Sequence, residues 1–346
     1  MKKHLLFGSL FLAGFSFSQI TVTESELVQP SDIVEQAFDQ SNSITHMAAG
    51  TDLSWNYSAL LEDSTGQFSV GVASWADGYA DFPNANLSGD DNSGQGTLFL
   101  RKNASALDFL GIYGDPAGTG SNSALKFDPQ SRITPLPLTY NTTDQNQYVF
   151  DFTLDPGVIG VDSARTKQNV EQEFMADAWG EMTTPLGTFE VVRLMKMEVT
   201  IDSTWMYSMG SGTLVDNNHD TTYTYSFFTN DANVRYTLVE YDYDPDLDEI
   251  TSQVSWLKAL PTTSVEEVSL SSFSIYPNPV KNELTITSDE VDASYLLIDI
   301  TGKKVLSGST DNSETTINVS SLKRGVYFIK FFNNENYIGT KKLVKQ

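Results

Sequence analysis

Catalysis near neutral pH most often rests on histidine. Behind residue 18 the chain holds two, His46 and His219. His46 lies in Ile44-Thr45-His46-Met47, a loop or strand start, and His219 in Asp216-Asn217-Asn218-His219-Asp220, a polar turn. Neither has a second histidine four residues on, so the zinc-binding His-Glu-x-x-His helix is absent. Met209-Gly210-Ser211-Gly212 lacks the spacing of a nucleophile elbow. Phosphate loops and dinucleotide fingerprints are missing too. The chain has no cysteine, which excludes thiolate nucleophiles, thiolate metal sites and disulfides. Both histidines are therefore expected as solvated or capping residues.

Carboxylates are abundant: residues 19–273 carry 37 Asp and Glu. A facing pair would suit a glycosidase, but at this density pairs arise by chance and spacing selects none. Hard cations want oxygen ligands. Asp242, Asp244, Asp246 and Asp248 alternate as ligands in a calcium loop can, and Asp90, Asn92 and Gly94 form a second, sparser set. Leu247 stands where an EF-hand has its central glycine and Gln253 where it has its bidentate glutamate, so the first set is no EF-hand. Structural calcium at these two places is the single cofactor expectation. Trp55, Trp75, Trp179, Trp205 and Trp256 could stack on sugars, though core or wall packing is the plainer reading.

These groups need elements to hold them. Period-two alternation recurs, as in Phe68–Ala73, Tyr148–Leu154, Thr188–Ile201, Thr222–Phe228 and Tyr236–Tyr241. Thr184-Pro185-Leu186-Gly187 reads as a hairpin turn, and Asp242–Asp248 as another joining Val234–Tyr241 to Ile250–Leu257. Helix is expected only over Ser31–Gln40, with Ser31 as cap, and weakly over Asn169–Ala178. The fold class is all-β: a large antiparallel β-sandwich or half-open barrel domain, followed by a small Ig-like β-sandwich.

Charge marks the boundary between them. Residues 19–273 hold ten Lys and Arg against 37 Asp and Glu, a net charge of −27, whereas residues 274–346 hold nine against eight. The whole chain, at −24, is a poor partner for nucleic acid or anionic lipid. Lys2, Lys3 and the apolar run Leu5–Phe15 read as a cleaved export signal over residues 1–18, with Ser16 and Ser18 before the cut. The apolar run falls short of the ~20 residues of a bilayer span, so no transmembrane span is expected. An acidic cargo domain is then expected over 19–260, a linker over 261–273 and a separate module over 274–346.

That last module carries an ordered set of residues: Ser274-Ile275-Tyr276-Pro277-Asn278-Pro279, Asp299, Gly302-Lys303, Leu322, Gly325-Val326-Tyr327 and Lys341-Lys342-Leu343-Val344-Lys345. The set resembles the type A C-terminal sorting domain of type IX secretion cargo from the Bacteroidetes. The resemblance implies Sec export, passage through the outer-membrane translocon, removal of the domain, and release or attachment at the cell surface. Its partners would be the type IX translocon and sorting machinery. On that resemblance the sorting-signal residues are Tyr276, Pro277, Asn278, Pro279, Asp299, Gly302, Leu322, Gly325, Tyr327, Lys341 and Lys342. A fainter resemblance covers residues 45–260. Thr51–Ser58, Pro135–Tyr140 and Trp179–Arg193 look like elements of an uncharacterised Bacteroidetes cargo family with no known activity, and the segment is similar to half-barrel periplasmic proteins that hold an apolar ligand.

The expected function is accordingly a secreted or cell-surface protein. Its cargo domain is read as a non-catalytic binding module for a glycan, a protein or an apolar ligand. The alternatives are a secreted hydrolase with a carboxylate pair and a structural surface component.

Overall fold

The structure is a computed structural model. It describes residues 19–41, 43–90, 96–115, 121–154, 161–263, 273–288, 293–299, 303–310, 314–333 and 336–346. The export signal expected over 1–18 lies outside them. The chain divides into two compact units, Met1–Thr263 and Ser264–Gln346.

Twelve strands of the first unit form its frame: β1 (Asp32–Asp39), β2 (Ser64–Val72), β3 (Leu87–Asp90), β4 (Thr97–Asn103), β5 (Ala106–Gly114), β6 (Ser123–Pro135), β7 (Thr143–Leu154), β8 (Ser163–Thr184), β9 (Gly187–Ser208), β10 (Ser211–Phe228), β11 (Val239–Asp244) and β12 (Val254–Leu257). Each pairs antiparallel with its neighbours in sequence, and β12 pairs with β1 through Trp256 opposite Ala37. The path therefore returns on itself as an up-and-down, barrel-like sheet, which leaves the frame no long free edge except where neighbouring strands differ in length. Of the two architectures expected, the half-open barrel is the nearer, and closure is the difference.

Two short turns set the longest register. Thr184 faces Gly187 across Pro185-Leu186, and Ser208 faces Ser211 across Met209-Gly210. Met209 and Gly210 have φ of 50° and 77°, the positive pair that a type I′ hairpin requires. Both helix expectations are overturned. Of Ser31–Gln40, Asp32–Asp39 is β1, and Ser31, at φ 79°, donates its amide to the Val70 carbonyl instead of capping a helix. Asn169–Ala178 lies within β8, where Val170, Gln172, Phe174 and Ala176 all turn inward at period two. A buried glutamine on the inner side hid that alternation from a hydrophobic reading.

Gln172 has a structural task. β6 and β7 share only the pairs Val149–Asp128 and Phe150–Phe127. Beyond these the Gln172 amide accepts from Arg132 N at 3.0 Å and donates to Arg132 O at 3.2 Å, while Asn146 donates to Gln130 O at 3.0 Å. Side-chain amides thus satisfy backbone groups that the short ladder leaves, which buried peptide groups demand. The frame is filled partly from within: Ile20, Val22 and Leu27 ahead of β1, and Trp55, Tyr57 and Leu60 between β1 and β2, join its core. Strand Gly50–Asn56 pairs parallel with the second half of β8. There Gly180 is required, because a Cβ would sit 2.0 Å from the Leu53 carbonyl oxygen. Of the segment read as a linker, Thr262–Thr263 pair with Ile33 and Asp32, Phe273 opens a strand, and residues 264–272 lie outside the described set.

The second unit has two sheets. β13 (Phe273–Tyr276), β14 (Glu283–Ser288) and β17 (Glu314–Asn318) form one, in the order β13-β14-β17. β15 (Ala293–Asp299), β16 (Lys304–Thr310), β18 (Gly325–Asn333) and β19 (Asn336–Lys345) form the other, in the order β16-β15-β18-β19. Leu284, Ile286 and Ile317 of the first share one core with Leu297, Ile329, Phe331 and Leu343 of the second. The Phe273 and Phe331 rings stack across it with centroids 4.4 Å apart.

Candidate functional site

The second unit gathers most of its marked residues at one end. Tyr276 closes β13, 46% exposed, with its hydroxyl donating to Glu314 Oε1 at 3.2 Å. The chain then runs along the outer edge of β19. Asn278 Nδ2 donates to the Lys342 carbonyl at 2.7 Å, and its Oδ1 accepts from Val344 N at 2.9 Å. Val280 N donates to Val344 O at 2.8 Å and Gln346 N to Val280 O at 2.9 Å. One asparagine side chain and one backbone residue thereby stand in for an added strand. Pro277 and Pro279, which have no N–H to leave unpaired, suit such an edge.

Asp299, Tyr327 and Leu343 form a row across β15, β18 and β19 at the same end. Asp299 Oδ1 accepts from Lys303 N at 3.1 Å and so closes the β15–β16 turn; Gly302 within that turn lies outside the described residues. Tyr327 is buried, its hydroxyl donating to Lys323 O at 2.8 Å. Gly325 starts β18 opposite Lys345, and Leu322 packs on the core. Lys341 and Lys342 sit opposite Ile329 and Phe328, with Lys342 exposed. Residues 64 positions apart in sequence are thus hydrogen-bonded into one surface.

A second polar cluster lies in the first unit, and sequence reasoning missed it. A bulge in β8 between Ala176 and Ala178 sets Asp177 out of register. Bulges re-aim side chains, and Asp177 meets the buried Arg193 of β9 with both oxygens at 2.8 Å. Arg193 also donates to the Met47 carbonyl at 2.6 Å and lies 4.9 Å over the Tyr225 ring. His46 stacks on Tyr243 at 3.9 Å, meets Tyr225 edge-on at 4.6 Å, and its Nδ1 lies 3.2 Å from the Tyr241 hydroxyl. Burial, with Arg193 adding to it, pulls the His46 pKa down to about 4. Burial also pushes Tyr57 up to about 12 and raises Tyr241 and Tyr225. Near neutral pH the imidazole is uncharged and the phenols keep their protons. The cluster clamps residues 45–47 onto the sheet and offers no group poised to exchange a proton. His46 is therefore half-buried in a tyrosine cage rather than solvated. His219, expected in a polar turn, sits exposed in the middle of β10 opposite Ile201.

The acidic sets are dispersed. Asp242 accepts from Thr224 Oγ1 at 2.7 Å, Asp244 caps the amides of Asp246 and Leu247, and Asp248 accepts from the Tyr243 hydroxyl at 2.6 Å. They form the hairpin between β11 and Glu249–Ile250. Asp90 ends β3 opposite Ser69, and Asn92 lies outside the described residues. Among the described residues no group of three or more His, Asp or Glu is placed to hold a metal ion. Trp55 and Trp256 are core residues, Trp256 donating to the Leu61 carbonyl at 3.0 Å. Trp179 lines a hollow with Ile20, Asp52 and Glu190 whose ~20 Å³ admits little more than a water molecule. Among the described residues no helix is long and apolar enough to cross a membrane.

Residues 274–346 match the family described as the secretion system C-terminal sorting domain. No curated protein matches the chain. Among solved structures the chain is similar to PorZ, described as an essential bacterial surface component of the type-IX secretion system of human oral-microbiomic Porphyromonas gingivalis. Identity is 9%, over 81% of this chain and 58% of that one, with a TM-score of 0.20. The chain thus spans less than two thirds of that structure.

Proposed function

We infer from the sorting domain carried at residues 274–346 that the chain is cargo of type IX secretion, an acidic β-domain delivered to the cell surface or beyond by its tail. The observation that carries this is the joining of Tyr276–Pro279 to the last strand through Asn278, which turns two distant sequence segments into one readable surface. The machinery reads that surface, and residues 1–18 act as the Sec signal that brings the chain to the periplasm. The boundary near residues 263–264 is where cargo and tail part. Seven strands in two sheets, with Tyr327 bonding back to Lys323, support an Ig-like description of the tail.

The cargo domain acts by binding rather than catalysis. Its buried carboxylates are tied into the structure: Asp177 by Arg193, Asp108 by Arg101 and Arg132, and Asp39 by the Ser41 and Ser43 hydroxyls and the Leu61 amide. Its histidine cage holds a neutral ring. The test is export of the chain lacking residues 274–346 from a type IX-competent bacterium. Retention in the periplasm supports the reading; release equal to that of the intact chain overturns it.

A further inference from the structure

β8, β9 and β10 run on past the core as an arm. None of the residues in Ser163–Asn169, Ile201–Ser208 or Ser211–Thr221 joins a hydrophobic cluster, and β10 is exposed throughout Ser211–Thr221. Large side chains there have no interior to fill, yet Trp205 and Tyr207 stand two residues apart, on one face of β9. Their cross-strand neighbours are Arg165 and Ser163 on one side, Leu214 and Gly212 on the other. Tyr207 lies over Gly212, where a Cβ would come within 2.6 Å of its ring. The Arg165 guanidinium sits 5.6 Å over the Trp205 ring and donates to both oxygens of Asp151 at 2.8 and 2.5 Å. The two rings are therefore held in place by a fixed planar ion pair at their side.

The chemistry of this face is specific in one respect. Arg165 and Asp151 cancel locally, while the chain as a whole carries −24 and repels anionic polymers. What remains attractive is a ligand with apolar C–H faces to stack on rings and hydroxyls to bond an exposed carboxylate, whose oxygens each retain a second lone pair. We propose that the arm is a binding platform for neutral polysaccharide, with sugar rings on Trp205 and Tyr207 and hydroxyls on Asp151 and Arg165. This rests on the reading of the acidic domain as a binding module and names its ligand class.

The test is affinity electrophoresis of the purified chain in gels containing laminarin, xyloglucan, galactomannan or dextran, with alginate as the anionic comparison. At least one neutral polysaccharide retards the intact chain and alginate does not. Trp205→Ala and Tyr207→Ala each weaken that binding about tenfold or more, Trp205→Phe retains part of it, and the thermal unfolding of all three stays that of the parent. Binding that survives both alanine variants leaves the domain a binding module but overturns the assignment to this arm. No retardation by any of the four overturns the ligand class. A dimer seen by light scattering that Thr213→Pro disperses, without polysaccharide bound, reassigns the exposed β10 edge to self-pairing and overturns the proposal as well.

Discussion

Asp177→Asn is the substitution from which the fold of the first unit has most to lose. Arg193 is fully buried, and Asp177 supplies both of its carboxylate contacts at 2.8 Å. An amide of the same shape keeps one acceptor and removes the charge. Breaking a buried pair by removing one partner costs about 3–5 kcal/mol, because the surviving charge stays desolvated. For a domain of this size each kcal/mol moves the midpoint by roughly 2–4 °C, so calorimetry should show Tm lower by about 10 °C. The double variant Asp177→Leu with Arg193→Met removes both charges and should recover most of the loss, since well-packed apolar replacements of an ion pair are often neutral. A single variant within about 1 kcal/mol of the parent would refute the reasoning, and so would a double variant no better than the single one.

Three further outcomes are expected. His46 has a folded-state pKa of about 4, depressed below its unfolded value near 6.5, so its contribution is fully present above pH 6.5 and is lost as pH falls toward 4. Full burial would give about 3 kcal/mol over that window; for a half-exposed ring about 1–2 kcal/mol is realistic, and urea unfolding of His46→Gln should show a flatter dependence there than the parent. Gly180→Ala forces a methyl against the Leu53 backbone and should loosen the Gly50–Asn56 strand, read as faster amide exchange along it together with a loss of about 2 kcal/mol or more. Asn278→Ala removes two hydrogen bonds to β19 and should lower the stability of the tail by about 1–3 kcal/mol and cut export, with Asn278→Asp, which keeps only the acceptor, restoring little.

The readable parts of this chain were those where chemistry and structure are local. Pro185-Leu186-Gly187 announces its turn because proline and glycine restrict or free single residues. Alternation announces several strands, although of two 22-residue strands β9 shows only in part and β8 reads as helix over Asn169–Ala178. The charge step near residue 273 announced two kinds of surface. Three features stayed hidden because partners far apart in sequence decide them. The closing pair of β1 and β12 is one. Asp177 is another: its inward turn depends on a bulge that no spacing encodes. The third is the clip from Asn278 to Lys342 and Val344. The marked residues of the tail could be recognised, but the reason they come as a set is a contact across 64 positions. Ser31 misled for a related cause, since a serine before Asp32-Ile33-Val34 fits a helix cap as well as it fits the left-handed entry to a strand.

Residues 274–346, folded around their own core, are expected to carry the export address by themselves. The direct measurement is a fluorescent reporter placed between residues 1–18 and 264–346 and expressed in a type IX-competent bacterium, with cell-surface and medium fractions compared against periplasm. The reporter is expected outside the cell, and retained inside when Asn278 is replaced by alanine. A reporter left in the periplasm while the intact chain is exported beside it would show that the tail does not carry the address alone.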